Sequence, residues 1–126
     1  MATDMDETFG LKQSTIRKIN SVFAAVPEIE QVILYGSRAK GNYRSGSDID
    51  LTVKGEGVSL SLLLKIENML DDLLLPYKID LSLFHVLGDP DLIDHIRRVG
   101  VVFYARTEIS GGLLDKRNQP GEQTDN

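Results

Sequence analysis

The sequence predicts an α/β (α+β) fold built as one mixed β-sheet flanked by helices. Three observations predict it. Short β-branched runs alternate with longer amphipathic stretches, Gly or Pro stands at most junctions between them, and 126 residues suffice for one domain without a second substrate-binding domain. A core of that size buries roughly 68% of the surface that the unfolded chain exposes, with no need of disulfides or metal staples.

The elements follow in order. Ile16, Ile19, Val22, Phe23 and Val26 recur at spacings of three and four, so a helix is expected over Lys12 to Val26, closed by Pro27. The run Gln31-Val32-Ile33-Leu34-Tyr35 reads as a buried strand entering a tight turn at Gly36-Ser37. Arg38 to Ser47 reads as a short helical turn running into a loop. From Asp48 to Val53, polar and apolar residues alternate with the period of a strand, so Asp48 and Asp50 share one face; Gly55-Glu56-Gly57 supplies the next turn. Leu60 to Leu74 carries a wide leucine-rich stripe and predicts a helix that Pro76 stops. Lys78 to Phe84 is a third alternating strand. Asp89 and Pro90 are N-cap and first position of a helix through Arg98, Gly100 caps its end, and Val101 to Tyr104 forms the last strand. Residues 1–105 thus form one domain, and 106–126 are expected to be a polar, disordered tail without apolar period.

Composition removes several function classes. A net charge of −5 argues against a nonspecific hold on nucleic-acid backbones or anionic membranes. The absence of cysteine removes disulfides, thiolate nucleophiles and zinc–thiolate sites. No run approaches the ~18 apolar residues of a membrane span, and the first residues are acidic where a secretory signal is basic, so the cytoplasm is the expected compartment.

The chemistry concentrates in Gly36-Ser37, a spacer over 38–47, Asp48-Ile49-Asp50, and Asp80 isolated between apolar neighbours one strand later. Carboxylates at i and i+2 of a strand lie about 6.5 Å apart on one face, which suits bridging two Mg²⁺ ions. Asp80 on an adjacent strand completes the set. Hard oxygen ligands without cysteine favour Mg²⁺ over zinc, with Mn²⁺ as the alternative. Such ions hold a triphosphate. Gly36 leaves the backbone open to a phosphate, and Ser37 offers a hydroxyl and an amide where a helix begins. Arg38, Lys40 and Arg44 lie between turn and metal strand, where they are candidates to neutralise phosphate charge.

This pattern resembles that of the DNA polymerase β-like nucleotidyltransferase superfamily, and within it the single-domain minimal nucleotidyltransferases. The resemblance covers roughly Ile29 to Phe84 and fills every position: Gly36, Ser37, Asp48, Asp50 and Asp80. It implies a palm-like sheet, dependence on two Mg²⁺ ions, and transfer of a nucleoside monophosphate, AMP from ATP in the first reading, to a hydroxyl. It also implies that Asp48, Asp50 and Asp80 bind the metals and that Asp80 takes the proton of the attacking hydroxyl. Larger relatives carry a helical domain for the acceptor, whereas here only the polar tail follows Tyr104. Minimal members resemble the antitoxin half of pairs whose other half is a helical HEPN ribonuclease toxin, so such a toxin is the expected partner and acceptor. Two alternatives stay open: a non-catalytic antitoxin acting by occlusion, and transfer to a small molecule such as an aminoglycoside.

The remaining candidates have blander readings. His85 and His95 lack metal-ligand spacing and read as structural. Leu60, Leu64 and Leu75 lie off the main stripe of their helix, which leaves open a homodimer or partner surface. Tyr35 reads as core rather than as a stacking surface.

Overall fold

A computed structural model of the chain describes residues 7–106. The elements are β1 (Glu7–Thr8), β2 (Leu11–Lys12), α1 (Gln13–Ala24), β3 (Gln31–Tyr35), α2 (Gly36–Lys40), β4 (Ile49–Lys54), α3 (Leu60–Asp71), β5 (Ile79–Leu83), a 3-10 turn (Phe84–Val86), α4 (Pro90–Val99) and β6 (Val101–Ala105). Strands β5-β4-β3-β6 form a mixed sheet in that order, parallel between β4 and β5 and antiparallel elsewhere. The expected fold class is the observed one.

Period-two alternation divides the sheet into two unlike faces. Val32 and Leu34 of β3, Ile49, Leu51 and Val53 of β4, and Leu81 and Leu83 of β5 are buried together with Ile19, Val22 and Phe23 of α1 and Leu63, Ile66 and Leu70 of α3. This is the main core. The opposite face carries Ile33 and Tyr35 beside Thr52 and Asp50, which in turn stand beside Ser82 and Asp80. Its apolar half is covered by Ile96 of α4, with Phe84, Leu87, Leu92 and Val99 packed around Ile33 and Tyr35. The carboxylate half stays accessible at Asp48 and Asp80.

Caps bound the helices much as expected. Ser59 accepts from Leu62 N–H at the start of α3, Asp89 accepts from Asp91 N–H at the start of α4, and Pro90 occupies the first turn. Gly100 closes α4 through its N–H to the Ile96 carbonyl, in an extended rather than left-handed conformation. α3 ends at Asp71 rather than Leu74: the segment turns before Pro76, and Leu74 adopts φ 55 with 88% of its surface exposed. No helix among the described residues is long and apolar enough to cross a membrane.

Two features were not expected. The first is the β1–β2 hairpin, whose turn residues Phe9 and Gly10 both have positive φ, 60 and 74, the combination favoured in two-residue hairpins. Two-residue strands are too short to show a period. The second is Arg106, assigned above to the tail. Its N–H bonds Glu30 O, and its guanidinium donates to the carbonyls of Ile29 at 2.9 Å, Val26 at 2.7 Å and Phe23 at 3.4 Å. One side chain thus satisfies carbonyls where α1 ends, so Arg106 belongs to the folded unit; the rest of the tail, 107–126, lies outside the described residues. A chain ending at Arg106 is expected to melt like the full-length protein, whereas one ending at Ala105 should melt about 5 °C lower, since charged hydrogen bonds contribute ~1.5 kcal/mol or more. Equal melting of the two truncations in a thermal scan would contradict this.

Candidate active site

The site lies where β3 ends and β4 and β5 begin. Tyr35, Asp50 and Asp80 stand side by side on three adjacent strands, because Tyr35 pairs with Asp50 across the antiparallel ladder and Asp50 with Asp80 across the parallel one. Neighbouring strands are about 4.8 Å apart, so the two carboxylates are close neighbours. Asp48, expected as the first residue of this strand, stands one residue before the observed β4, at the exposed end of the 41–48 loop. The Ile49 N–H donates to the Lys78 carbonyl at 2.9 Å, tying the start of the Asp48-x-Asp50 segment to the start of β5.

This crowding has an electrostatic signature. The Asp50 carboxyl is held above its ordinary range by burial first, then by the charges of Asp80 and Asp48, with His95 opposing. The Tyr35 hydroxyl is likewise raised, by burial first; a hydrogen bond with Ser82 opposes that shift and the charges of Asp50 and Asp80 add to it. Ser82 in turn donates to Thr52 at 2.9 Å. Tyr35, Ser82 and Thr52 thus line the sheet beside the carboxylates as hydrogen-bonding groups, and Tyr35 occupies the core position expected of it.

Gly36 opens α2 at φ 76, a conformation that favours glycine, and a Cβ added there would run into the Asp50 carboxylate oxygen. The glycine is therefore what lets the turn and Asp50 of β4 touch. Its N–H donates to His95 Nε2 at 3.2 Å, and the imidazole stands edge-on to Tyr35. Sequence reasoning treated His95 as merely structural. It lies far along the chain on α4, and no local pattern announces that this helix packs over the turn. Ser37 lies in the first turn of α2, where its carbonyl accepts from Gly41 and Asn42.

The three basic candidates separate. Lys40 and Arg44 are exposed. Arg38 was expected to meet phosphate, and the structure corrects this: the side chain is 2% exposed, bonded to the carbonyls of Ser47 and Phe9, and flanked by the rings of Tyr43 and Tyr77. A guanidinium so buried, with all three nitrogens donating to backbone carbonyls, is withdrawn from the surface that a phosphate would reach.

Among the described residues, no three His, Cys, Asp or Glu side chains are arranged to hold a metal ion as they stand. The donor chemistry nevertheless fits a divalent cation. Asp48, Asp50 and Asp80 are hard oxygen donors of one sign on adjoining strand ends, and a cation bound among them would offset both the burial of Asp50 and the repulsion it feels from Asp80 and Asp48.

The family model described as Polymerase beta, Nucleotidyltransferase matches residues 17–109. The chain belongs to that family. The match spans β3 to β6 and includes the glycine turn and all three aspartates. Among solved structures, the nucleotidyltransferase is similar to a chain of a toxin–antitoxin crystallised with AMP-PNP, at 19% identity, TM-score 0.59, and coverage of 73% of this chain and 74% of that one. It is also similar to a chain of the MntA–HepT toxin–antitoxin, at 18% identity, TM-score 0.56, and 75% and 74% coverage. A third is a chain of the complex between tri-AMPylated Shewanella oneidensis HEPN toxin and MNT antitoxin, at 18% identity, TM-score 0.55, and 75% and 72% coverage. At these identities the likeness is one of fold. No curated protein sequence matches the chain significantly.

Proposed function

We propose that this nucleotidyltransferase transfers AMP from ATP, with Mg²⁺ or in its place Mn²⁺, to a hydroxyl of a partner protein, and that the partner is a HEPN-type toxin for which the chain is the antitoxin. One observation carries the reading: Asp48, Asp50 and Asp80 gather beside the Gly36 turn at the accessible end of the sheet, with no acceptor domain over them among the described residues. The fold shared with chains of toxin–antitoxin complexes, one of them containing an AMPylated toxin, supports the choice of partner.

A divalent cation, when bound by the three aspartates, supplies charge neutralisation for the phosphates and for the entering and leaving oxygens. The chain's own residues do the rest. Gly36 admits a phosphate close to the backbone, Ser37 offers its hydroxyl, and Lys40 and Arg44 are free to swing onto phosphate oxygens. The acceptor oxygen bonds to the α-phosphorus, and its proton passes to Asp80. The bond from the α-phosphorus to the bridging oxygen breaks, and pyrophosphate leaves with the electron pair.

The test is incubation with α-labelled ATP, Mg²⁺ and a small helical protein encoded beside this one. Label on that protein, lost when the γ-phosphate is labelled instead and lost in Asp48→Ala, is the expected result. No label, with Asp48→Ala indistinguishable from the parent, would overturn it. Label on an aminoglycoside or an RNA end would redirect the acceptor.

A further inference from the structure

A buried arginine ties together the segments that bear the candidate ligands. Among the described residues Arg38 is the charged side chain that is fully buried, and no carboxylate pairs with it. Removing a guanidinium from water is costly unless its donors and faces are satisfied. Here they are. Nε and Nη2 both donate to the Ser47 carbonyl, at 3.2 and 2.8 Å, and Nη1 donates to the Phe9 carbonyl at 2.9 Å. The guanidinium carbon stands 5.4 Å from the Tyr43 ring centre and 5.2 Å from that of Tyr77.

The partners are significant for what they adjoin. Arg38 itself lies on α2, the helix opened by Gly36. Ser47 is the residue before Asp48, Tyr43 belongs to the loop leading there, and Tyr77 lies in the lead into β5, which bears Asp80. Phe9 is in the turn of the hairpin, which is thereby drawn over the same place. We propose that Arg38 is a positioning residue: its guanidinium sets Asp48, Asp80 and the glycine turn at their working separations, and it acts through Ser47 and Tyr77 without touching the nucleotide. This rests on the reading of the three aspartates as metal ligands. It requires arginine specifically, because an ammonium group has neither the planar fork that grips one carbonyl twice nor two flat faces for aromatic rings.

The test compares the parent with Arg38→Lys by thermal melting, by Mn²⁺ titration followed by electron paramagnetic resonance, by hydrogen exchange over 41–50, and by ATP kinetics. The expected result is a cooperatively folded variant with Mn²⁺ bound about tenfold more weakly, faster exchange confined to 41–50, and kcat reduced with KM for ATP nearly unchanged. Four results overturn the proposal: Mn²⁺ affinity equal to the parent's, a rise in KM for ATP alone, loss of cooperative melting, or a parent that binds no Mn²⁺. A parent that binds Mn²⁺ but labels no partner would remove the proposed function, while weaker metal binding in Arg38→Lys would still support the role of Arg38.

Discussion

Asp50→Asn is expected to lower nucleotidyl transfer by about a thousandfold and, at neutral pH, to raise the melting temperature by about 3 °C. Both effects have one cause. The Asp50 carboxyl is raised above its ordinary 3.8 by burial and by the charges of Asp80 and Asp48, so the folded state holds its proton more tightly than the unfolded state does. By linkage, this carboxyl takes nothing from stability below its unfolded value; stability falls as pH rises from there through the raised folded value, and the deficit persists above it. Asparagine is neutral at every pH and removes the deficit, together with a charge that a cation needs. Activity and stability should therefore move in opposite directions, as they do where a site is built from mutually repelling groups. Mg²⁺ should raise the melting temperature of the parent and leave Asp50→Asn nearly unmoved, because only binding to the folded state stabilises. A variant that melts several degrees lower at pH 7, or that keeps a tenth or more of the transfer, would refute this account of the site.

Gly36→Ala should damage nucleotidyl transfer out of proportion to the single methyl group it adds. Gly36 sits at φ 76, where an L side chain costs about 1–2 kcal/mol, and the added Cβ meets the Asp50 carboxylate oxygen. The Asp50 carboxylate cannot yield without leaving its place beside Asp80, so a loss of at least about 100-fold in transfer is expected, with a fall of roughly 5–10 °C in melting temperature. Gly41→Ala is the matched control. Gly41 is also left-handed, at φ 86, but nothing lies within 4 Å of a Cβ there, so it carries the conformational cost and no collision. It should lose a few degrees and keep its activity. Equal activity in the two variants would show that contact between the turn and Asp50 is dispensable.

Much of this architecture is local, and local patterns are legible. The alternation in Asp48 to Val53 and Lys78 to Phe84 is enough to predict strands and to put Asp50 and Asp80 on faces opposite their apolar neighbours, since successive side chains on a strand point to opposite sides. The caps at Asp89 and Pro90 are readable for the same reason: a cap acts within its own turn. Each such inference needs only residues a few positions apart.

The fold class, the order of the larger elements and the presence of three aspartates near a glycine turn are all legible along the chain. The fate of the charged and polar side chains around that turn was decided by tertiary structure. Arg38, Lys40 and Arg44 look alike in a basic stretch, yet Arg38 is withdrawn beneath Tyr43, Tyr77 and the Phe9 hairpin, while the other two remain in solvent. His95 meets Gly36 because α4 folds back over the second face of the sheet, and Arg106 leaves the polar tail because the carbonyls of Phe23, Val26 and Ile29, around the end of α1, converge on its guanidinium. The physical reason is common to all three. A hydrophobic period is written along one element, but the partner of a buried hydrogen-bonding group comes from whichever distant segment packs against it.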